Sequence, residues 1–290
     1  MATFGTQNTV SFALRHKYFQ NGLQQVLRNA LVSEAVFRVD RSELKTIENP
    51  YISTAGTITQ QAVAGTYSVS ALATTEDTLS VADEVIVPTH IFDFEMRTAN
   101  FDLTANFLDD MMYQVAYQVD KFVLNKQLSL ATGTYTTPAG GFTQAANIPV
   151  ICANLLSKVA GYAGGLAANP FLVIESTDIV GFAQAQVASG FTYADAALRN
   201  GFMTNYMGID IYVIRTGTFV TATIGTLSAT NSGRRLFGLK NLGLVASPRG
   251  IQYEEKSVSG KTGKEVVAWC YVGAKIWANN APLFVNITLA

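Results

Sequence analysis

Residues 76–130 read EDTLSVADEVIVPTHIFDFEMRTANFDLTANFLDDMMYQVAYQVDKFVLNKQLSL, and the stretch changes character half-way. Its first part reads as an acidic strand over residues 79–97, entered from a polar, threonine-rich lead. From Thr104 the residues Phe107, Leu108, Met111, Met112, Val115, Val119, Phe122 and Val123 recur at three- and four-residue spacing, which is one face of a helix. Neither Gly nor Pro interrupts residues 103–130. At about 1.5 Å per residue the pattern predicts a rod of roughly 40 Å. That is longer than a core of this size needs, and a strand arm feeding such a rod suits a shell better than a pocket.

The rest of the composition agrees with a surface that faces protein. The chain has 290 residues, 49% hydrophobic and only 14% charged, where ordinary soluble domains carry about 25% charge. A membrane protein would explain that deficit, but the apolar runs, such as residues 171–174, fall far short of the roughly 20 residues a spanning helix needs. An obligate assembly explains it better. Residues 1–10 hold neither a basic nor an apolar signal-peptide region, so synthesis in the cytosol is expected. Cys152 and Cys270 sit in apolar runs and read as small buried hydrophobes rather than a disulfide framework.

Charge is segregated along the chain. Residues 1–33 hold Arg15, Lys17 and Arg28 with no acid. Residues 76–110 hold Glu76, Asp77, Asp83, Glu84, Asp93, Glu95, Asp102, Asp109 and Asp110 against Arg97 alone. Residues 234–275 hold eight Lys or Arg against Glu254, Glu255 and Glu265. Blocks of opposite sign suit docking between subunits, or pairing inside one chain. The pattern leaves both open.

The remaining elements follow from period and punctuation. Residues 12–31 read as a basic, amphipathic helix with Phe19, Leu23, Val26, Leu27, Ala30 and Leu31 on one face, an arm lying across another surface. Residues 35–80 hold two β-like stretches around a polar middle, 53–75, too poor in hydrophobes to bury itself, hence a long hairpin. A Gly/Thr loop at 132–142 separates the rod from a region with a helix over 148–160, Leu155, Leu156 and Val159 facing inward. A buried strand over 171–174, a helix over 178–188 capped by Ser176 or Thr177, and a strand over 209–215 follow. Strands over 250–258 and 265–277 flank the turn 259–263 as a hairpin.

This order resembles the major capsid proteins of tailed bacteriophages, whose shared fold is named after the Hong Kong 97 phage. VIVPTHIFDFEMR (85–97) leading to LDDMMYQVAYQVDKFVLNK (108–126) looks like that family's extended loop returning into its spine helix. PFLVIES (170–176) and NGFMTNYMGIDIYVI (200–214) look like an axial-domain strand and the Gly turn before the next. Residues 236–247 and 250–279 look like the closing axial strands and the peripheral hairpin. The resemblance implies an α+β fold with an N-terminal arm (1–34), an extended β-hairpin loop (35–97), a peripheral domain with the spine helix (98–142) and an axial domain (143–248). A peripheral-domain hairpin (249–277) and a C-terminal strand returning to the axial domain (278–290) complete it.

It further implies a structural protein rather than an enzyme, a subunit of pentamers and hexamers in an icosahedral head around double-stranded DNA, found in the virion after assembly in the host cytoplasm. Implied partners are other copies of itself, portal and scaffolding proteins, non-specifically contacted DNA and a decoration protein, with no membrane and no cofactor. An encapsulin-like nanocompartment shell shares the fold and remains an alternative, as does a soluble α/β enzyme or ligand-binding protein. Because only about ten residues precede the arm helix, scaffolding is expected to be a separate protein or absent. Lys45 with Asn279 or Asn280 could supply the isopeptide cross-link some relatives make, but nothing in the sequence specifies them.

No catalytic, cofactor-binding or metal-ligating residue is nominated. The only histidines, His16 and His90, lack a recognisable triad context, and zinc-ligand clusters are missing. Gly260-Lys261-Thr262 imitates a phosphate loop, but Glu255 stands where that motif needs Gly. GYAGG (161–165) has no preceding strand for a dinucleotide fingerprint. Asp109 and Asp110 point about 100° apart on a helix and read as a solvated or partner-facing side. Arg15, Lys17 and Arg28 among Phe12, Tyr18 and Phe19 come nearest to a nucleic-acid stripe.

Overall fold

The computed structural model describes residues 31–54, 73–93, 103–163, 169–188, 202–257 and 262–290. Among them are helices α1 (Ser33–Val36), α2 (Leu103–Leu130), α3 (Asn147–Ala163) and α4 (Ile179–Ala188). The rod α2 covers the stretch 103–130 that neither Gly nor Pro interrupts, and extends past both ends of the apolar period at Phe107 and Val123. Residues 12–30, read as an arm helix, lie outside the described residues.

Two sheets share α2. The first has the order β5 (Gly133–Thr136), β15 (Val285–Thr288), β11 (Arg234–Leu239), β6 (Pro170–Glu175), β8 (Ile209–Ile214) and β7 (Phe202–Tyr206). Strand β6 is buried on both faces, which is why it reads as an unbroken apolar run. Phe171 and Val173 join one apolar cluster with Phe122, Val123, Leu124 and Leu128 of α2. Leu172 and Ile174 point the other way, to Ile148, Ile151 and Leu155 of α3 and Phe182 of α4.

The second sheet is built on the 13-residue strand β14 (Lys264–Ile276). It pairs with β12 (Gly243–Ala246), β13 (Gln252–Ser257) and β4 (Asp83–Ile91), and β1 (Arg38–Asp40) runs parallel to β12. Val266, Ala268 and Cys270 pack with Met111 and Val115 of α2. Val272, Ala274 and Ile276 pack into the cluster that holds the C-terminal half of α2. The length of α2 therefore has a use inside one subunit, since it spans both sheets. Gly243–Ala246, although it lies within the range 143–248, hydrogen-bonds to β14 and β1 rather than to the first sheet.

Two ribbons pair with neither sheet. Strands β2 (Thr46–Thr54) and β3 (Ala73–Ser80) form an isolated antiparallel pair, and β9 (Thr221–Ile224) with β10 (Leu227–Thr230) another. The expected single acidic strand over 79–97 is corrected here. Leu79 closes the hairpin in β3, and a separate strand β4 starts at Asp83 in another sheet. The Val81 N–H donates to the Lys45 carbonyl at the break. No Gly or Pro marks that break, because pairing of Thr46 with Ser80 and of Asp83 with Val272 sets it.

The cap of α4 is a second correction. A 3-10 turn, Ser176–Asp178, precedes the helix, and Glu175 and Asp178 cap each other's backbone in place of Ser176 or Thr177. The helix then passes unusually close to the turn at Gly141–Thr143. A Cβ on Gly181 would lie 1.9 Å from the Phe142 carbonyl oxygen. Gly181→Ala is therefore expected to lower stability by about 2–3 kcal/mol through overpacking, read as a reduced unfolding midpoint. An unchanged midpoint would show that helix and turn can separate freely.

Candidate functional site

For a chain with two such ribbons the functional geometry lies in how they are anchored and in what α2 holds. The long hairpin is pinned at its root by Asp77. Its carboxylate pairs with Lys275 and accepts the Ala278 N–H at 2.8 Å. Lys275 Nζ also donates to the Thr78 carbonyl at 2.8 Å, and Leu79 packs on Leu244 and Ala246 with Ile47, Val81 and Trp277 alongside. The short ribbon is held by Asp83, which accepts from the Thr226 N–H at 2.6 Å and its hydroxyl at 2.8 Å.

Polar groups buried on α2 fix the crossing of the two sheets. Asn125 donates to the Thr218 carbonyl at 2.8 Å and accepts the Val220 N–H at 3.2 Å. Asn231 donates to the Asn125 carbonyl and to Ser129 Oγ. Gln127 donates to the carbonyls of Leu244 and Lys275, one from each of two paired strands. Asp120 accepts the N–H groups of Val32 and Ser33 at 3.0 and 2.6 Å, seating the start of α1. Nothing in the local pattern marks Asp120, Asn125 and Gln127, which look like ordinary polar positions on a helix, or Asn231, which sits in the loop between β10 and β11.

Burial pushes the Asp120 carboxyl above its ordinary 3.8, outweighing the bonds from Ser33 and Val32 that favour the charged form. A raised folded value means that the folded chain holds this proton more tightly than the unfolded chain. The resulting stabilisation is complete below the ordinary value and is lost as pH rises through the raised one. The stability of Asp120→Asn relative to the parent is therefore expected to improve between about pH 4 and pH 7. Urea unfolding at both values checks this, and a difference independent of pH would contradict it.

Six of the eight cations in residues 234–275 are paired within the chain. Arg235, Lys240, Arg249, Lys256, Lys264 and Lys275 each meet a carboxylate of the same subunit. Of these only Lys275 reaches the acidic block, at Asp77. The buried member, Arg235, lies between Asp178 and Glu175.

The outer face of the β13–β14–β4 sheet, opposite α2, carries a different feature. Ile86 stands opposite Trp269, and Tyr271 opposite Glu84, in the β4–β14 register. Ile86 and Tyr271 are exposed large apolar side chains.

His90 sits on β4 with its ring edge-on to Phe92 at 4.5 Å, and its buried Nε2 has no hydrogen-bond partner among the described residues. Cys152 and Cys270 are buried free thiols, and burial pushes the first up to about 12. Asp109 and Asp110 are half-buried, and Asp110 accepts from Gln114 at 2.5 Å. Lys45 and Asn279 are exposed. Residues 164–165 and 260–261 and the stripe at Phe12, Arg15, Lys17, Tyr18, Phe19 and Arg28, with His16, lie outside the described residues. Among the described residues no group of three His, Cys, Asp or Glu is placed to hold a metal, and no helix is long and apolar enough to cross a membrane.

No protein-family model and no curated protein matches the sequence. Solved structures do. A chain of Mycobacterium phage Che8 superposes with a TM-score of 0.73 at 15% identity, covering 93% of this chain and 96% of that one. A chain from the capsid of a native GTA particle gives 0.73 at 15% identity, with 96% of each chain covered. The fold is the Hong Kong 97-type capsid fold. A chain from the mature capsid of bacteriophage PhiM1 gives 0.71 at 12% identity, over 94% and 91% of the two chains. At such identities the Hong Kong 97-type fold persists while nearly every side chain has changed, so order and packing carry the likeness.

Proposed function

We propose that this chain is a major capsid subunit that assembles into the pentamers and hexamers of an icosahedral phage head enclosing double-stranded DNA. The observation that carries this reading is the likeness over more than nine-tenths of the chain to chains taken from phage and GTA capsids. In this reading the first sheet with α3 and α4 is the axial domain and packs around the capsomer axis. The second sheet with α2 is the peripheral domain, with the crossing between the two at residues 240–242. The hairpin β2–β3 lies over an adjacent subunit. The role is structural rather than catalytic, and portal, scaffolding and decoration proteins are the further partners it calls for.

Negative-stain electron microscopy of the expressed chain tests the reading. Closed particles are expected, and a compact monomer in analytical ultracentrifugation with no particles would refute it. Packaged nucleic acid separates a phage head from an encapsulin-like shell, which would hold protein cargo instead.

A further inference from the structure

Three cations that meet no carboxylate among the described residues, Lys121, Arg215 and Arg234, have their backbones tied to one hydrogen-bonded node beside α2. Its centre is Asn125, whose Nδ2 donates to the Lys121 and Thr218 carbonyls, both at 2.8 Å. The Thr218 N–H and hydroxyl donate to the Arg215 carbonyl at 3.2 and 2.7 Å, closing the turn 215–218. Asn231 donates to the Asn125 carbonyl at 2.9 Å, and the Arg234 N–H donates to the Asn231 carbonyl at 3.1 Å. Three segments distant in sequence therefore each bring a cation to within a few residues of one buried amide. Residues 215–217 and 232–233 are exposed, and Lys121 and Arg234 are half-buried. A Cβ on Gly217 or Gly233 would meet nothing within 4 Å among the described residues. Lys121 follows the exposed Gln114 and Gln118 at helical spacing, so it continues the solvent-facing stripe of α2 rather than the one that Met111 and Val115 bury.

Side-chain carboxylates around the node are already committed or distant. Asp120 is turned to the N–H groups of Val32 and Ser33, and Glu175, which accepts the Gly217 N–H, is paired with Arg235. Asp110 lies eleven residues before Lys121 on α2, about 16 Å away and beyond a screening length at physiological salt. We propose that this polar face rests against the phosphate backbone of double-stranded DNA, with Lys121, Arg215 and Arg234 each opposite a phosphate. Arg and Lys beside hydroxyls and turn N–H groups are the groups that hold a nucleic-acid backbone. The amides of the node, Asn125 and Asn231, are buried and already bonded, so they cannot read a base edge, and contact without sequence preference follows. A protein partner would call for apolar area at the centre of the patch, where this face has asparagine and turn backbone. That the polyanion is packaged DNA rests on the capsid reading, whereas the cluster of unpaired cations does not.

Binding of a short fluorescent duplex to dissociated full-length subunits, measured across a salt series, tests it. Lys121→Gln/Arg215→Gln/Arg234→Gln is expected to flatten the slope of log affinity against log salt by about 2–3, near one per lost phosphate contact. Between about 50 and 200 mM salt the parent should then lose roughly 40-fold more affinity than the variant. The variant keeps the node, which uses main-chain groups of the three residues, and should unfold at the parent's midpoint. Lys121→Arg/Arg215→Lys/Arg234→Lys should retain the parent slope, because counterion release follows charge. Lys158→Ala removes an exposed cation on α3, which packs on the face of β6 opposite α2, and should leave the slope unchanged. Equal slopes for the parent and the glutamine variant overturn the proposal, as does a parent that does not bind the duplex. Particle formation is scored separately in negative stain. Equal slopes with closed particles lost would assign the three cations to a contact between copies and overturn the proposal. A parent that forms no particles refutes the capsid reading, and the slope comparison still decides this one.

Discussion

Arg235→Ala is expected to destabilise the subunit by about 3–5 kcal/mol, the range for breaking a buried ion cluster by removing one partner. The guanidinium donates to both Asp178 carboxylate oxygens, lies 3.2 Å from Glu175 Oε2 and reaches the Arg234 carbonyl at 2.8 Å. All three side chains are under 10% exposed. Without Arg235 two carboxylates stay buried, with little besides backbone N–H groups to answer them. The Gly217 N–H donates to Glu175 at 3.0 Å and the Glu175 N–H to Asp178 at 3.1 Å. The cluster sits where β11, β6 and the cap of α4 meet, so its loss loosens the first sheet and the start of α4 together. Arg235→Lys should recover little, because an ammonium cannot reproduce the planar fork. Arg249→Ala is the control, since the Arg249–Glu43 pair is more than 60% exposed on both sides and no measurable change is expected. Urea unfolding of dissociated subunits gives the comparison. Equal midpoints for Arg235→Ala and the parent would mean that the cluster is not stabilising.

Arg235 also shows where reading the sequence stops. It counts as one more cation in a basic block, and its partners lie 57 and 60 residues earlier in the chain. Only the pairing of β11 with β6 brings them together. Asn125 and Gln127 have the same character: their partners are backbone groups about a hundred residues away, so local pattern cannot separate them from solvated helix positions. What was legible depends on local regularity. The existence of α2 follows from a sustained apolar period without Gly or Pro, and β6 from a run buried on both faces. The break between β3 and β4 was missed because strand propensity continues through Val81 and Ala82 while the pairing partner changes.

Deletion of residues 53–75 is expected to abolish closed shells while leaving a folded, soluble subunit. Among the described residues strands β2 and β3 pair only with each other, and an isolated two-stranded ribbon is marginal in water. Such a ribbon gains from lying on another surface, and in the proposed assembly that surface is a neighbouring subunit. The deletion keeps the root. Pairs from Thr46↔Ser80 to Pro50↔Glu76 remain, as do the Lys275–Asp77 bridge and the packing of Leu79 on Leu244. Residues 53–75 are mostly Thr, Ser, Gly, Gln and Ala, with few large apolar side chains to bury, so stability should stay within about 1 kcal/mol of the parent. The two readouts separate two ideas. Loss of cooperative unfolding in the variant would show that the hairpin belongs to the subunit's own core. Closed particles in negative stain would show that shells form without the hairpin, and the bridging role assigned to it would be wrong.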